Sequence, residues 1–243
     1  MNVRILILYD LIHMPEDYFC RMNHELFTTG DGSHSLRITG SEMTYHSRSG
    51  AIGESLHVFI NAGLRPLLAI EHELHVLEIG FGTGLNALLS YVESEQSKKL
   101  IHYQTIDNFF LGPDLVETLN YCERLNRPDL IQVFGLLHSG QTEGNLMLGD
   151  YFHFEKIQCS LLDFSPGKKF QVIYFDAFAP DEQPELWTVD VFKRLFQCLV
   201  PSGLLVTYSA KGQVRRTMQA AGFSVEKLQG YFPKKEMIRA VKK

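Results

Sequence analysis

The chain has 243 residues, of which 45% are hydrophobic and 21% charged, with a formal net charge of -5 at pH 7. With a mean hydropathy of -0.07 it reads as an ordinary globular protein. The charge balance excludes a surface coated in phosphate-binding groups, and no apolar run approaches the roughly 20 residues that a membrane span needs. The opening MNVRILILYD has a short apolar stretch interrupted by Asp10 and no small-residue cleavage site, so it does not read as a signal peptide and a cytoplasmic protein is expected.

Residues 1–23 read as an N-terminal extension and residues 24–243 as one domain, since neither repeats nor a linker rich in Gly, Pro or Ser divides the chain. Within that domain a polar, glycine-punctuated lead-in segment, residues 24–72, ends in a helical stretch near 54–72. Short apolar runs then alternate with amphipathic ones. HVLEIG, IHYQTID, KIQCSLLDF, QVIYFDAF and GLLVTYS predict strands, while helices are expected near 83–95, 112–126, 185–199 and 211–222. Such β/α alternation implies an α/β fold with a mainly parallel sheet covered on both faces. The last two runs, FSVEKLQG and KKEMIRAVKK, have only YFP between them, so they pair as a hairpin and make one strand antiparallel. That ending is the terminal arrangement of class I S-adenosylmethionine (SAM) methyltransferases, Rossmann-like folds with a seven-stranded sheet.

Cys20, Cys122, Cys159 and Cys198 are far apart, with no C-x-x-C pair, as reduced core thiols are. His102 and His153 fall in strand-like runs and no H-E-x-x-H occurs, so the ten histidines read as structural and no metal is expected.

The stretch VLEIGFGTGLNALLS runs a strand through Gly80, Gly82 and Gly84 into a helix. Glycines there permit a sharp bend and close approach of a ligand, and the helix N-terminus offers free N–H groups. A dinucleotide and SAM both suit such a turn. Glu78, two residues before the first glycine, favours the positively charged amino group of SAM over pyrophosphate, the lesser alternative being a simple pairing with a Lys or Arg. Asp107 ends the next strand, where an acid accepts hydrogen bonds from ribose hydroxyls, and Asp163 follows the next apolar run within reach of an adenine amino group. Asp176 leaves the strand QVIYFD into a proline-containing loop facing the same crevice. A carboxylate there can orient an acceptor amine and take up its proton. From residue 211 onward nine basic residues stand against two acidic ones, which is either a solvated face or a local nucleic-acid contact.

EIGFGTGLNALL, DAFAPDEQPELW, the tail GLLVTYSAKGQVRRTMQAAGFSVEKLQGYFPKKEMIRA and the lead-in DGSHSLRITGSEMTYHSRSGAIGESLHVFINAGL together resemble the methyltransferase domain of MnmC-type enzymes. These complete 5-methylaminomethyl-2-thiouridine at the wobble position of tRNA. The resemblance spans roughly residues 24–241. It implies SAM as methyl donor, a SAM-binding role for Glu78, Gly80, Gly82, Gly84, Asp107 and Asp163, and Asp176 as the carboxylate nearest the acceptor amine. His46 and Glu54 are implied to close the pocket. Arg215, Arg216, Lys234, Lys235 and Arg239 are the candidates for tRNA phosphates, contacts that position an RNA without reading its sequence. Bifunctional members carry a flavin-dependent domain absent from this sequence, so no FAD is expected and another enzyme must supply the aminomethyl-uridine tRNA. The alternatives are a SAM-dependent methyltransferase for another amine and an aminopropyltransferase using decarboxylated SAM, whose glycine turn usually holds an Asp where this chain has Thr83.

Overall fold

The computed structural model describes residues 24–139 and 146–243; the expected extension at 1–23 lies outside them. The lead-in segment begins with an antiparallel ribbon, β1 (His24–Thr28) and β2 (His34–Ile38). A continuous helical run follows: α1 (Ala51–Ser55), a π-helical stretch over Leu56–Leu64, and α2 (Arg65–Leu68).

The central sheet contains β3 (Glu73–Ile79), β4 (Leu100–Asp107), β5 (Leu146–Leu148), β6 (Phe152–Gln158), β7 (Phe170–Phe175), β8 (Leu199–Thr207), β9 (Ser224–Gln229) and β10 (Glu236–Val241), in the order β5-β6-β4-β3-β7-β8-β10-β9. The five strands from β6 to β8 run parallel, and β10 is antiparallel to both β8 and β9. This is the expected seven-stranded arrangement with one reversed hairpin strand. An eighth strand, β5, pairs antiparallel to the outer edge of β6. Its three residues are too few to leave an alternation pattern in sequence.

The helices are α3 (Leu85–Ser97), α4 (Pro113–Val116), α5 (Tyr121–Arg124), α6 (Ile131–His138), α7 (Val189–Cys198) and α8 (Gly212–Ala220). Helix α3 packs on one face of the sheet with Leu74, Val76, Tyr103 and Phe152, while α7 covers the other with Leu77, Ile79, Phe175 and Phe192. Residues 74 to 79 are therefore apolar on both sides apart from His75 and Glu78, as a central parallel strand requires. Helix α7 starts at Thr188, whose side-chain oxygen accepts the N–H of Val191.

Three local expectations differ from the structure. The third parallel strand is Phe152–Gln158 rather than KIQCSLLDF, because Phe152 and Phe154 alternate inward against β4 whereas Leu161 to Asp163 form a turn. The helix expected over 112–126 is broken into α4 and α5. Helix α6 was not foreseen, and its C-terminal carbonyls receive the buried Lys156 ammonium, which bonds the oxygens of Leu137, His138 and Ser139 at 3.3, 3.1 and 3.2 Å. A cation at a helix C-terminus complements its dipole. His102 on β4 stacks between His75 on β3 and His153 on β6, at ring separations of 4.5 and 4.8 Å, and Glu73 Oε1 lies 2.8 Å from His102 Nε2.

From β3 the chain proceeds to β4 and β6 on one side and then to β7 and β8 on the other. The carboxyl ends of β3, β4 and β7 thus flank the point where strand order reverses, where open α/β sheets bind ligands.

Candidate active site

A cavity of about 330 Å³ opens at that point. Its floor is the glycine turn after β3. Gly80 has φ 89°, and a Cβ there would sit 2.6 Å from the carbonyl oxygen of Asp176, so only glycine lets the two strand ends approach this closely. Gly80 and Gly82 line the cavity. Gly84 does not; it has φ 72° at the start of α3, and a Cβ there would meet His138 Nε2 at 2.7 Å. Its role is to let the turn pack on α6.

Asp107 lines the cavity and also holds the turn, its carboxylate accepting the N–H of Gly82 at 3.1 Å and of Phe109 at 3.2 Å. Burial raises its pKa, against the pull of these backbone bonds. Ile79, Ile106 and Leu161 supply apolar wall nearby.

Thr83, unremarked in sequence apart from being no acid, anchors the turn to three other segments. Tyr121 donates to its hydroxyl at 3.0 Å, His46 Nε2 lies 2.7 Å from the same oxygen, and His138 Nε2 lies 3.1 Å from its carbonyl. Burial depresses the His46 pKa to about 4, so at neutral pH the imidazole is uncharged and can accept the Thr83 proton at Nε2. His46 and Glu54 both line the cavity.

Asp176 emerges from β7 into the cavity. Asn86, in the first turn of α3, donates to its Oδ2 at 2.9 Å. Burial together with the charges of Glu78 and Glu54 holds its carboxyl well above the usual range, opposed by the Asn86 bond and by Lys234. The loop beyond is pinned from within: Phe178 N–H donates to Gln183 Oε1 at 3.0 Å, and Trp187 Nε1 donates to the Phe178 carbonyl at 2.9 Å. Trp187 is core, and Phe178 lines the cavity edge-on to Tyr45.

Two acids are not where the sequence reading put them. Glu78 lies beneath the turn on the α3 side of β3, fully buried and outside the cavity lining. Burial pushes its pKa to about 8. The Thr105 and Tyr103 hydroxyls and the Asn86 side chain lie beside its carboxyl and favour the ionised form, but burial outweighs them. Glu78 therefore does not present an anion to a bound amine. Asp163 is exposed in the turn following Ser160 and outside the lining, because β6 ends at Gln158 and the chain has already turned away.

The basic candidates divide. Lys234 is half-buried in the cavity wall, ion-paired with Glu54 and 4.2 Å above the Tyr208 ring. Arg239 pairs with Glu226 at 2.8 Å along the terminal hairpin, and Arg215 is half-buried. Arg216 and Lys235 are exposed.

Residues 135–243 match the family model described as S-adenosyl-L-methionine-dependent methyltransferase. The structure of MNMC2 from Aquifex aeolicus is similar over 100% of this chain and 78% of its own, with a TM-score of 0.75 and 23% identity, which shows a shared fold. A methyltransferase from Pyrococcus furiosus aligns over 98% of this chain and 96% of its own at TM-score 0.46 and 15% identity. N-methyltransferase NodS from Bradyrhizobium japonicum aligns over 73% and 89% at TM-score 0.41 and 15% identity. No helix among the described residues is long and apolar enough to cross a membrane.

Proposed function

We propose that this methyltransferase methylates the primary amine of 5-aminomethyl-(2-thio)uridine at the wobble position of tRNA, giving 5-methylaminomethyl-(2-thio)uridine. The observation that carries this reading is Asp176: a carboxylate inside the cavity, adjoining the glycine turn, fixed by Asn86 and raised in pKa. The likeness of fold to a protein named MNMC2 supports the same acceptor.

The cavity fits SAM. Gly80 and Gly82 leave room for close backbone approach, Asp107 offers an acceptor to ribose hydroxyls, and Ile79, Ile106 and Leu161 offer an apolar wall to adenine. Bound there, SAM supplies an electrophilic methyl carbon. The protein has to deliver a neutral amine in line with it and dispose of one proton. Asp176 orients the amine by accepting its N–H and then takes the proton, and a carboxylate of raised pKa is the better base. Phe178 and Tyr45 offer aromatic faces at the rim for a nucleobase. The reaction is redox-neutral and draws on neither flavin nor metal.

Arg216 and Lys235, both exposed in the basic segment from residue 211 onward, would contact tRNA phosphates. An enzyme acting earlier on the same tRNA must install the aminomethyl group. Transfer of labelled methyl from SAM to tRNA carrying 5-aminomethyl-uridine, and not to tRNA lacking that group, is the test. SAM binding without transfer would leave the cofactor and move the acceptor to another amine.

A further inference from the structure

Glu54 and Lys234 meet across 180 residues of sequence, one from the helical run of the lead-in segment and the other from the loop of the terminal hairpin. Both line the cavity, where Lys234 is the sole lysine or arginine among the described residues. Each is held from a second direction. Glu54 Oε2 accepts the N–H of Ser47 at 2.9 Å, and the Lys234 ammonium rests over Tyr208, whose hydroxyl bonds the Ala177 carbonyl at 3.0 Å. The pair adjoins the glycine turn. Ser47 follows His46, which bonds Thr83 in that turn, and Ala177 follows Asp176, whose carbonyl backs Gly80.

A negative and a positive side chain paired in the cavity wall are complementary to a ligand bearing both signs, which would exchange their mutual contact for one to each of its own charges. The methionine end of SAM is such a ligand, an ammonium and a carboxylate on one carbon. Glu78, the acid read from sequence as the partner of that ammonium, is buried beneath the turn and outside the cavity lining. We propose that Glu54 and Lys234 form a clamp for the amino-acid zwitterion of SAM, Glu54 taking the ammonium and Lys234 the carboxylate, so that Lys234 is the residue that selects SAM over its decarboxylated form. This rests on the SAM-binding reading but is independent of which amine accepts the methyl group. The selection has a chemical consequence. Decarboxylated SAM is an aminopropyl donor, so a cation that demands the carboxylate commits the cavity to methyl transfer.

The test is direct binding by calorimetry of three adenosyl ligands to the full chain: S-adenosylhomocysteine with the whole zwitterion, decarboxylated SAM with the amine alone, and 5′-methylthioadenosine with neither. For the wild type we expect S-adenosylhomocysteine to bind far more tightly than the other two. Lys234→Met should weaken S-adenosylhomocysteine roughly 10-fold, the scale for removing one member of a half-buried charge pair, while methylthioadenosine changes by less than about threefold. Decarboxylated SAM should bind as well or better, having lost a like charge nearby. Lys234→Arg should restore most of the discrimination. Equal affinity of wild type and Lys234→Met for S-adenosylhomocysteine would overturn the clamp and leave the methyltransferase reading standing. A parallel loss of all three ligands would also overturn it, showing a general role in shaping the cavity. Failure of the wild type to bind any of them would sink the cofactor assignment and the clamp together.

Discussion

Asn86 and Asp176 are joined by a 2.9 Å hydrogen bond that ties the first turn of the helix after the glycine turn to the carboxylate at the end of the fourth parallel strand. The bond links the two halves of the fold at the point where strand order reverses. It also sets the basicity of Asp176, since a donor to the ionised carboxylate favours that form while burial and Glu78 oppose it.

Replacing Asp176 with Asn keeps the shape and removes the proton acceptor. We expect SAM affinity within a few-fold of wild type and turnover lower by roughly 100-fold or more, the scale of lost acid–base assistance. Unchanged turnover would remove Asp176 from the chemistry. Asn86→Ala acts through Asp176. Without its donor the carboxyl holds its proton to higher pH, so the acidic limb of the kcat/KM profile should move upward, an effect that mere loosening of the fold would not produce.

Glu78 has a folded pKa of about 8 against an ordinary value of 4.5, so the folded state binds its proton more tightly than the unfolded state does. Stability from this group is complete at low pH and is lost as pH rises toward 8. Between pH 4 and 6.5 the depressed pKa values of His46 and His138, both about 4, act in the opposite sense, because their protonation favours unfolding. The clean window is therefore pH 6.5 to 8. Across it, denaturant titrations of Glu78→Gln and wild type should diverge by about 2 kcal/mol in favour of the variant, from 1.36 kcal/mol per pH unit. A constant difference would mean that Glu78 titrates normally.

Thr83→Val removes the oxygen to which Tyr121 and His46 are bonded and leaves two buried polar groups without a partner. A loss of about 1–3 kcal/mol in stability follows, together with weaker binding of S-adenosylhomocysteine, since the turn is held from this side. Wild-type stability in chemical denaturation would contradict the anchoring role.

Charge reversal of Arg216 and Lys235 tests the RNA surface. Each variant should weaken tRNA binding with little effect on SAM, and each lost phosphate contact should lower the slope of log affinity against log salt by about one. An unchanged slope in both would place the RNA elsewhere on the protein.

Much of the site was legible because strand ends are legible. Gly80, Gly82, Asp107 and Asp176 all sit where an apolar run stops, and a parallel sheet gathers such positions at one edge. What was hidden depends on direction and distance. Glu78 is at a strand end too, yet the pleat turns its side chain under α3, and a register of one residue decides between cavity and core. Asp163 was misplaced because β6 ends earlier than the apolar run suggested. Lys234 was read as one more tail cation because nothing local in the sequence brings the hairpin loop back against Glu54. Thr83 and Asn86 carried no distinctive signal, since small polar residues near a helix start ordinarily serve as caps.

The central claim, that the acceptor is the aminomethyl group of a wobble uridine, is tested most directly by nucleoside analysis of tRNA after reaction with SAM. Starting from tRNA that carries 5-aminomethyl-(2-thio)uridine, the proposed activity converts that nucleoside to its 5-methylaminomethyl form and leaves every other nucleoside unchanged, with Asp176→Asn as the inactive control. Persistence of the aminomethyl nucleoside in the presence of enzyme that binds SAM, or a methyl group recovered on any other nucleoside, would contradict it.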